Sequence, residues 1–145
     1  MGARITGLDE ALQGLKDFEF SDAQVEKALT AAADVALPVI KSNLKLAVGS
    51  DSKSERAGES TGELVSALGI SPVKLSKRDI FSVKIGFREP RKGGESNAKV
   101  ANILEYGRRK SKNSSYQKPR PWLAPSVRTV EKKVDKVIHD SLSNN

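Results

Sequence analysis

The chain has one histidine, His139, followed directly by Asp140, and enough serines to complete a Ser-His-Asp set. Neighbours on a helix point to different sides, however, and no G-x-S-x-G elbow is present to expose a nucleophile. There is no cysteine, which excludes disulfides, thiolate metal sites and cysteine nucleophiles. With a single histidine and no clustered carboxylates, a zinc site lacks ligands. Gly93-Gly94 is not followed by the Lys-Ser/Thr of a phosphate loop and reads as a plain loop. Glu105 and Tyr106 could act as an acid and a phenol, but without a second convergent carboxylate they read as the anchor of a turn at Gly107. The chain is therefore read as non-enzymatic, with neither metal nor cofactor.

Charge is distributed more tellingly. Residues 88 to 120 hold ten basic side chains (Arg88, Arg91, Lys92, Lys99, Arg108, Arg109, Lys110, Lys112, Lys118 and Arg120) against three acidic ones, Glu89, Glu95 and Glu105, which accounts for the whole net charge of +7. Such a run is either a solvated face or a surface for phosphates or an acidic protein. Beyond Tyr116 and Trp122 it has no aromatic platform for stacking bases, and no helix-turn-helix or RNA-binding signature accompanies it. Contact with nucleic acid would thus be to the backbone, without sequence reading.

The elements that must position these residues follow from periodicity. At 145 residues the chain is sized for one domain. Its sequence predicts a short strand at Ala3 to Ile5 and a short helix carrying Leu8, Leu12 and Leu15. Ser21 is placed to cap a long helix whose stripe runs through Val25, Leu29, Ala32, Ala36, Ile40 and Leu44, with a kink expected at Pro38. Residues 48 to 60 are small, polar and aperiodic and are expected to be a loop. Thr61 then stands as the N-cap of a short helical turn presenting Leu64, Val65 and Leu68, ending near Gly69.

Two strands are expected at Ile70 to Leu75 and Ile80 to Phe87 around the turn SKRD, with Phe81, Val83, Ile85 and Phe87 on the buried face. After a loop containing Pro90, Gly93 and Gly94, a helix from about Asn97 to Tyr106 turns Val100, Ile103 and Leu104 inward and ends at Gly107, placed for a left-handed C-cap. Pro121 suits the first turn of a final helix with Leu123, Val127, Val130, Val134, Ile138 and Leu142 on one stripe, and Trp122 is expected beneath it as a core anchor in preference to an exposed subunit contact. The fold class expected is α+β: a small antiparallel sheet packed against a long kinked helix in the N-terminal half and a long C-terminal helix. No segment approaches the ~20 apolar residues of a membrane span, and MGARITGLDEALQG lacks the regions of a signal peptide.

The order of motifs resembles that of the small neck and tail-completion proteins of long-tailed double-stranded DNA bacteriophages. Members carry a TG-x-L turn, a Y-A-x-x-x-E-F/Y-G-T segment and an A-R-P-F-L-x-P-A segment. The matches here are Thr61, Gly62 and Leu64; Glu105, Tyr106 and Gly107; and Arg120, Pro121, Trp122, Leu123 and Pro125. Arg108 replaces the small hydroxyl residue after E-F/Y-G, Lys99 or Val100 stands where an aromatic is usual, and Trp122 replaces Phe.

The resemblance implies a structural virion protein without catalytic residues. Its subunits would form a ring, sixfold in preference to twelvefold, at the head-tail junction, after assembly in the host cytoplasm. Partners would be further copies of the chain and neighbouring connector, tail-terminator or tail-tube proteins. On that reading the interaction surface is Arg88, Arg91, Lys92, Arg108, Arg109, Lys110, Lys112, Lys118 and Arg120, facing either a partner ring or DNA in the channel. The alternative reading is a small basic protein that binds DNA without sequence specificity.

Overall fold

Ser21 opens the first helix as expected. Its side-chain oxygen accepts from Gln24 N at 3.3 Å while Gln24 Oε1 accepts from Ser21 N at 2.7 Å, a reciprocal capping box. The computed structural model describes residues 20–49, 62–89, 94–113 and 115–143. The strand expected at Ala3 to Ile5, the helix carrying Leu8, Leu12 and Leu15, most of the 48–60 stretch, Thr61, Pro90, Arg91, Lys92 and Gly93 lie outside the described residues.

Helix α1 spans Asp22–Val48, so at 1.5 Å per residue it is about 40 Å long. It runs through Pro38 unbroken, and Pro38 sits on the exposed side, where Asp34 O can turn to water. Gly49, in left-handed conformation, ends it by donating to Lys45 O. The buried stripe is Ala28, Ala32, Ala33, Ala36, Ile40 and Leu44. Val25 and Leu29, expected on it, are only half-buried, because the small alanines make the close approach to the partner helix.

Helix α2 (Glu63–Ala67) begins with Gly62 rather than Thr61 in the cap position, and no side chain caps it. It leads directly into a long hairpin made of β1 (Leu68–Ile70), β2 (Lys74–Leu75), β3 (Phe81–Ser82) and β4 (Ile85–Phe87). Strands β1 and β4 pair antiparallel with Leu68 opposite Phe87, and β2 and β3 pair with Leu75 opposite Phe81.

The two ladders are one residue out of register, since residues 71 to 73 face only 83 and 84. This bulge falls at Pro72, which has no N–H to give the ladder. The expected continuous strand from Ile70 to Leu75 is therefore split. Ser71 keeps the two halves together, its N–H donating to Lys84 O at 2.8 Å. At the tip, Ser76 N donates to Ile80 O at 3.0 Å and Asp79 adopts a positive φ of 54°, as in a three-residue hairpin loop.

Helix α3 (Asn97–Tyr106) is capped by Ser96, whose Oγ accepts from Lys99 N at 2.9 Å. Helix α4 (Leu123–Ser143) returns along α1. A single core gathers Ala36, Ile40 and Leu44 of α1, Leu64 and Val65 of α2, Leu68 of β1, Ala101 and Leu104 of α3, then Trp122 and Val130. The architecture is α+β, as expected.

One expected stripe is wrong at its start, although Val130 is buried and Val134, Ile138 and Leu142 are half-buried as read. On α4 the inward positions are Ser126 and Val130, followed by half-buried Val134, whereas Leu123 and Val127 are 39% and 49% exposed. Trp122 takes the buried place at the start of the helix, and Ser126, four residues on, is fully buried where Asn43 Nδ2 donates to its Oγ at 2.9 Å. Helical spacing from Trp122 sets the stripe as 122, 126, 130, 134, and positions 123 and 127 are turned about 100° away from it.

Candidate functional site

The chain between α3 and α4 stitches three helix ends together. Glu105, on the last turn of α3, is buried, and its carboxylate points at the start of α4. Oε2 accepts from Trp122 N at 2.7 Å and Leu123 N at 2.8 Å, and Oε1 accepts from Ala124 N at 3.1 Å. These are the orphan donors of a helix N-terminus, where a negative charge also meets the favourable end of the helix dipole. Burial alone would push the Glu105 carboxyl up, but the N–H groups of Leu123, Trp122 and Ala124 outweigh it and hold the pKa below its ordinary value. Glu105 thus anchors a helix and not the turn at Gly107.

Trp122 is the core anchor expected of it. It is buried, its Nε1 donates to Ala101 O at 3.1 Å, and its ring meets Phe87 edge-on at 5.7 Å between centroids. Arg120 completes the seam. Its N–H donates to Leu104 O at 2.6 Å and its Nη1 donates to Ala47 O at 2.8 Å, placing a cation at the C-terminal end of α1.

Gly107 has φ 77° and ψ −176°, so its φ is positive as expected but its ψ is extended and it is not a left-handed C-cap. A Cβ there would lie 2.7 Å from Gln117 O and 2.8 Å from Pro119 Cδ. Only glycine lets the returning chain pass so close. From this point Arg108 and Gln117 exchange two backbone hydrogen bonds of 2.9 and 2.8 Å, and Arg108 Nε donates to Ser115 O at 3.2 Å. Residues 108 to 117 therefore form a loop closed at its base.

The basic residues divide into two sets. Arg108 and Arg120 turn inward and hold the structure, whereas Arg109, Lys110, Lys112 and Lys118 are exposed and make no ion pair among the described residues. Tyr106 and Tyr116, 75% and 65% exposed, flank them. Arg88 is exposed on the strand side, and its carbonyl accepts from Asn97 Nδ2 at 2.8 Å.

A second carboxylate cap was not legible in the sequence. Glu89 accepts from Asn97 N and Ala98 N, both at 2.9 Å, across the start of α3. The backbone N–H of Ala98, then that of Asn97, holds its carboxyl below the usual range. The partner lies eight residues on, beyond any local capping pattern. Asn97 itself is buried, and among the described residues its Oδ1 has no hydrogen-bond partner.

Beside Trp122, the exposed Leu123 lines an apolar cleft of about 260 Å³ with Ile85, Phe87, Ala98, Ala101 and Asn102. His139 is exposed near the end of α4. Asp140 Oδ1 lies 3.9 Å and Ser143 Oγ 3.5 Å from the same ring nitrogen, Nδ1, whereas a proton relay needs its serine and its carboxylate on opposite nitrogens. No group of three or more metal-ligating side chains occurs among the described residues. Compared with family models, with curated proteins and with solved structures, the chain finds no match.

Proposed function

We propose that this chain is a structural virion protein of the head-tail connector of a long-tailed double-stranded DNA bacteriophage, acting as a neck or tail-completion subunit in a ring. The observation that carries the reading is the cap of Glu105 on Trp122, Leu123 and Ala124. It gives a physical reason for an E-Y-G segment and an R-P-W-L-x-P segment to occur together in one chain. Leu64, from the TG-x-L turn, joins the same core as Trp122. The three motifs of the resemblance thus serve one construction.

Two further features support a subunit that contacts others. Leu75 and Ile80 at the hairpin tip, and Leu123 and Val127 on α4, are apolar and exposed. Scattered exposed apolar residues are ordinary, but two pairs at opposite sides of one hairpin tip and along one helix face suit a ring whose copies meet head to tail. Sixfold symmetry is favoured over twelvefold on the resemblance alone.

The test is to fuse a compact tag to the chain in the parent phage and label intact virions with a tag-specific antibody. Label at the head-tail junction supports the reading. Label along the tail, on the capsid shell or nowhere on the virion overturns it.

A further inference from the structure

We propose that the loop from residue 108 to residue 118 is a docking surface for the phosphate backbone of double-stranded DNA, which it grips without reading bases. This goes beyond the connector reading and stands whether or not the chain sits at a head-tail junction.

The loop's construction separates support from contact. Its base is fixed by the paired backbone hydrogen bonds of Arg108 and Gln117, and the following segment is held by Arg120 on Leu104 O and Ala47 O. The remaining cations, Arg109, Lys110, Lys112 and Lys118, project from this base, exposed and without ion pairs among the described residues. From Tyr106 to Val130 there is no Asp or Glu, so no carboxylate competes from the same segment. A base fixed before binding lowers the ordering cost.

The chemistry favours phosphate over an acidic protein. Protein interfaces centre on apolar and aromatic anchors and are depleted in lysine. Between Arg108 and Pro121 there is no Val, Ile, Leu, Phe or Trp, and three of the four projecting cations are lysines. The interspersed Asn113, Ser115 and Tyr116 offer the hydroxyl and amide donors that accompany Lys and Arg at phosphates. A duplex is favoured over single strands because only two exposed tyrosines are at hand for stacking.

The experiment is fluorescence anisotropy of a labelled 30-base-pair duplex of arbitrary sequence with the full chain, repeated from 50 to 200 mM salt. Four phosphate contacts give a slope of log K against log salt near −3.6, or a loss of about 100-fold over that range. The variant R109Q/K110Q/K112Q/K118Q is expected to lose the binding and keep its unfolding temperature. The variant R128Q/K132Q/K133Q/K136Q removes the same charge from exposed positions on α4 and is expected to keep the slope. Equal loss in both variants would overturn the proposal by reducing it to net charge. Absence of salt-dependent duplex binding, tighter binding of single strands of the same length, or equal competition by polyglutamate of matched charge would each overturn it too.

Discussion

The carboxylate of Glu105 and the backbone N–H of Trp122 meet at 2.7 Å, although the two residues stand seventeen positions apart. Between them the chain leaves α3, closes the basic loop and returns, so this contact fixes the distance across which the loop is built. Replacing Glu105 with Ala leaves three helix N-terminal donors without their partner and is expected to cost about 2 kcal/mol. E105Q, which keeps the size and one oxygen, is expected to fall between. Chemical unfolding followed by the fluorescence of Trp122, the chain's single tryptophan, measures both.

Acid acts on the same contact. The folded pKa values of Glu105 and Glu89 are both lowered from the ordinary 4.5, so their contribution is fully present above that value and is lost as pH falls through the folded values. The unfolding temperature is expected to be flat from pH 7 to about pH 5 and to drop below about pH 4.5. E105Q should show a shallower drop, measured by calorimetry at pH 7, 4 and 3.

Gly107 is expected to be intolerant of any side chain. G107A forces a Cβ to 2.7 Å from Gln117 O at a backbone conformation suited to glycine, and the loss is expected to reach about 3 kcal/mol. G69A has open space around the new methyl and a normal φ, and should change stability by less than about 1 kcal/mol in either direction. Urea unfolding of the two variants in parallel separates the effects.

The inward face of α4 gives a third contrast. V130A removes methyl groups from a buried site and is expected to cost about 1 to 2 kcal/mol, whereas V127S, at a half-exposed site, should cost less than about 0.5 kcal/mol. A loss for V127S as large as that for V130A would restore the stripe read from the sequence.

That stripe shows where periodicity stops. The positions 123, 127, 130, 134 and 122, 126, 130, 134 share their last two members and differ by one step of helix rotation. Valine and leucine outweigh serine in any apolar count, so the sequence points to the wrong step. The burial of Trp122 and the tertiary contact of Ser126 with Asn43, 83 positions away, select the other.

Local signals fared better. The Ser21 cap, the hairpin about SKRD and the α3 helix from Asn97 to Tyr106 are all set by neighbours within a few residues, and all were legible. Residues Glu105, Gly107, Arg120 and Trp122 were legible as a group, but only Trp122, the core anchor, was legible in its role. Glu105 was expected to hold a turn and holds a helix, because its partners come from a segment that returns only after the loop has closed. Glu89 carried no signal, since a carboxylate eight residues before a helix follows no capping spacing. Of the basic run, the sequence could not tell that Arg108 and Arg120 face inward while Arg109, Lys110, Lys112 and Lys118 face out.

The most direct test of the connector role is electron microscopy of lysates from the parent phage carrying an early stop codon in this gene. The account predicts filled heads beside separate tails, or tails with abnormal ends, and restoration of joined virions when the wild-type chain is supplied in trans. Normal joined virions from the stop-codon phage would contradict it.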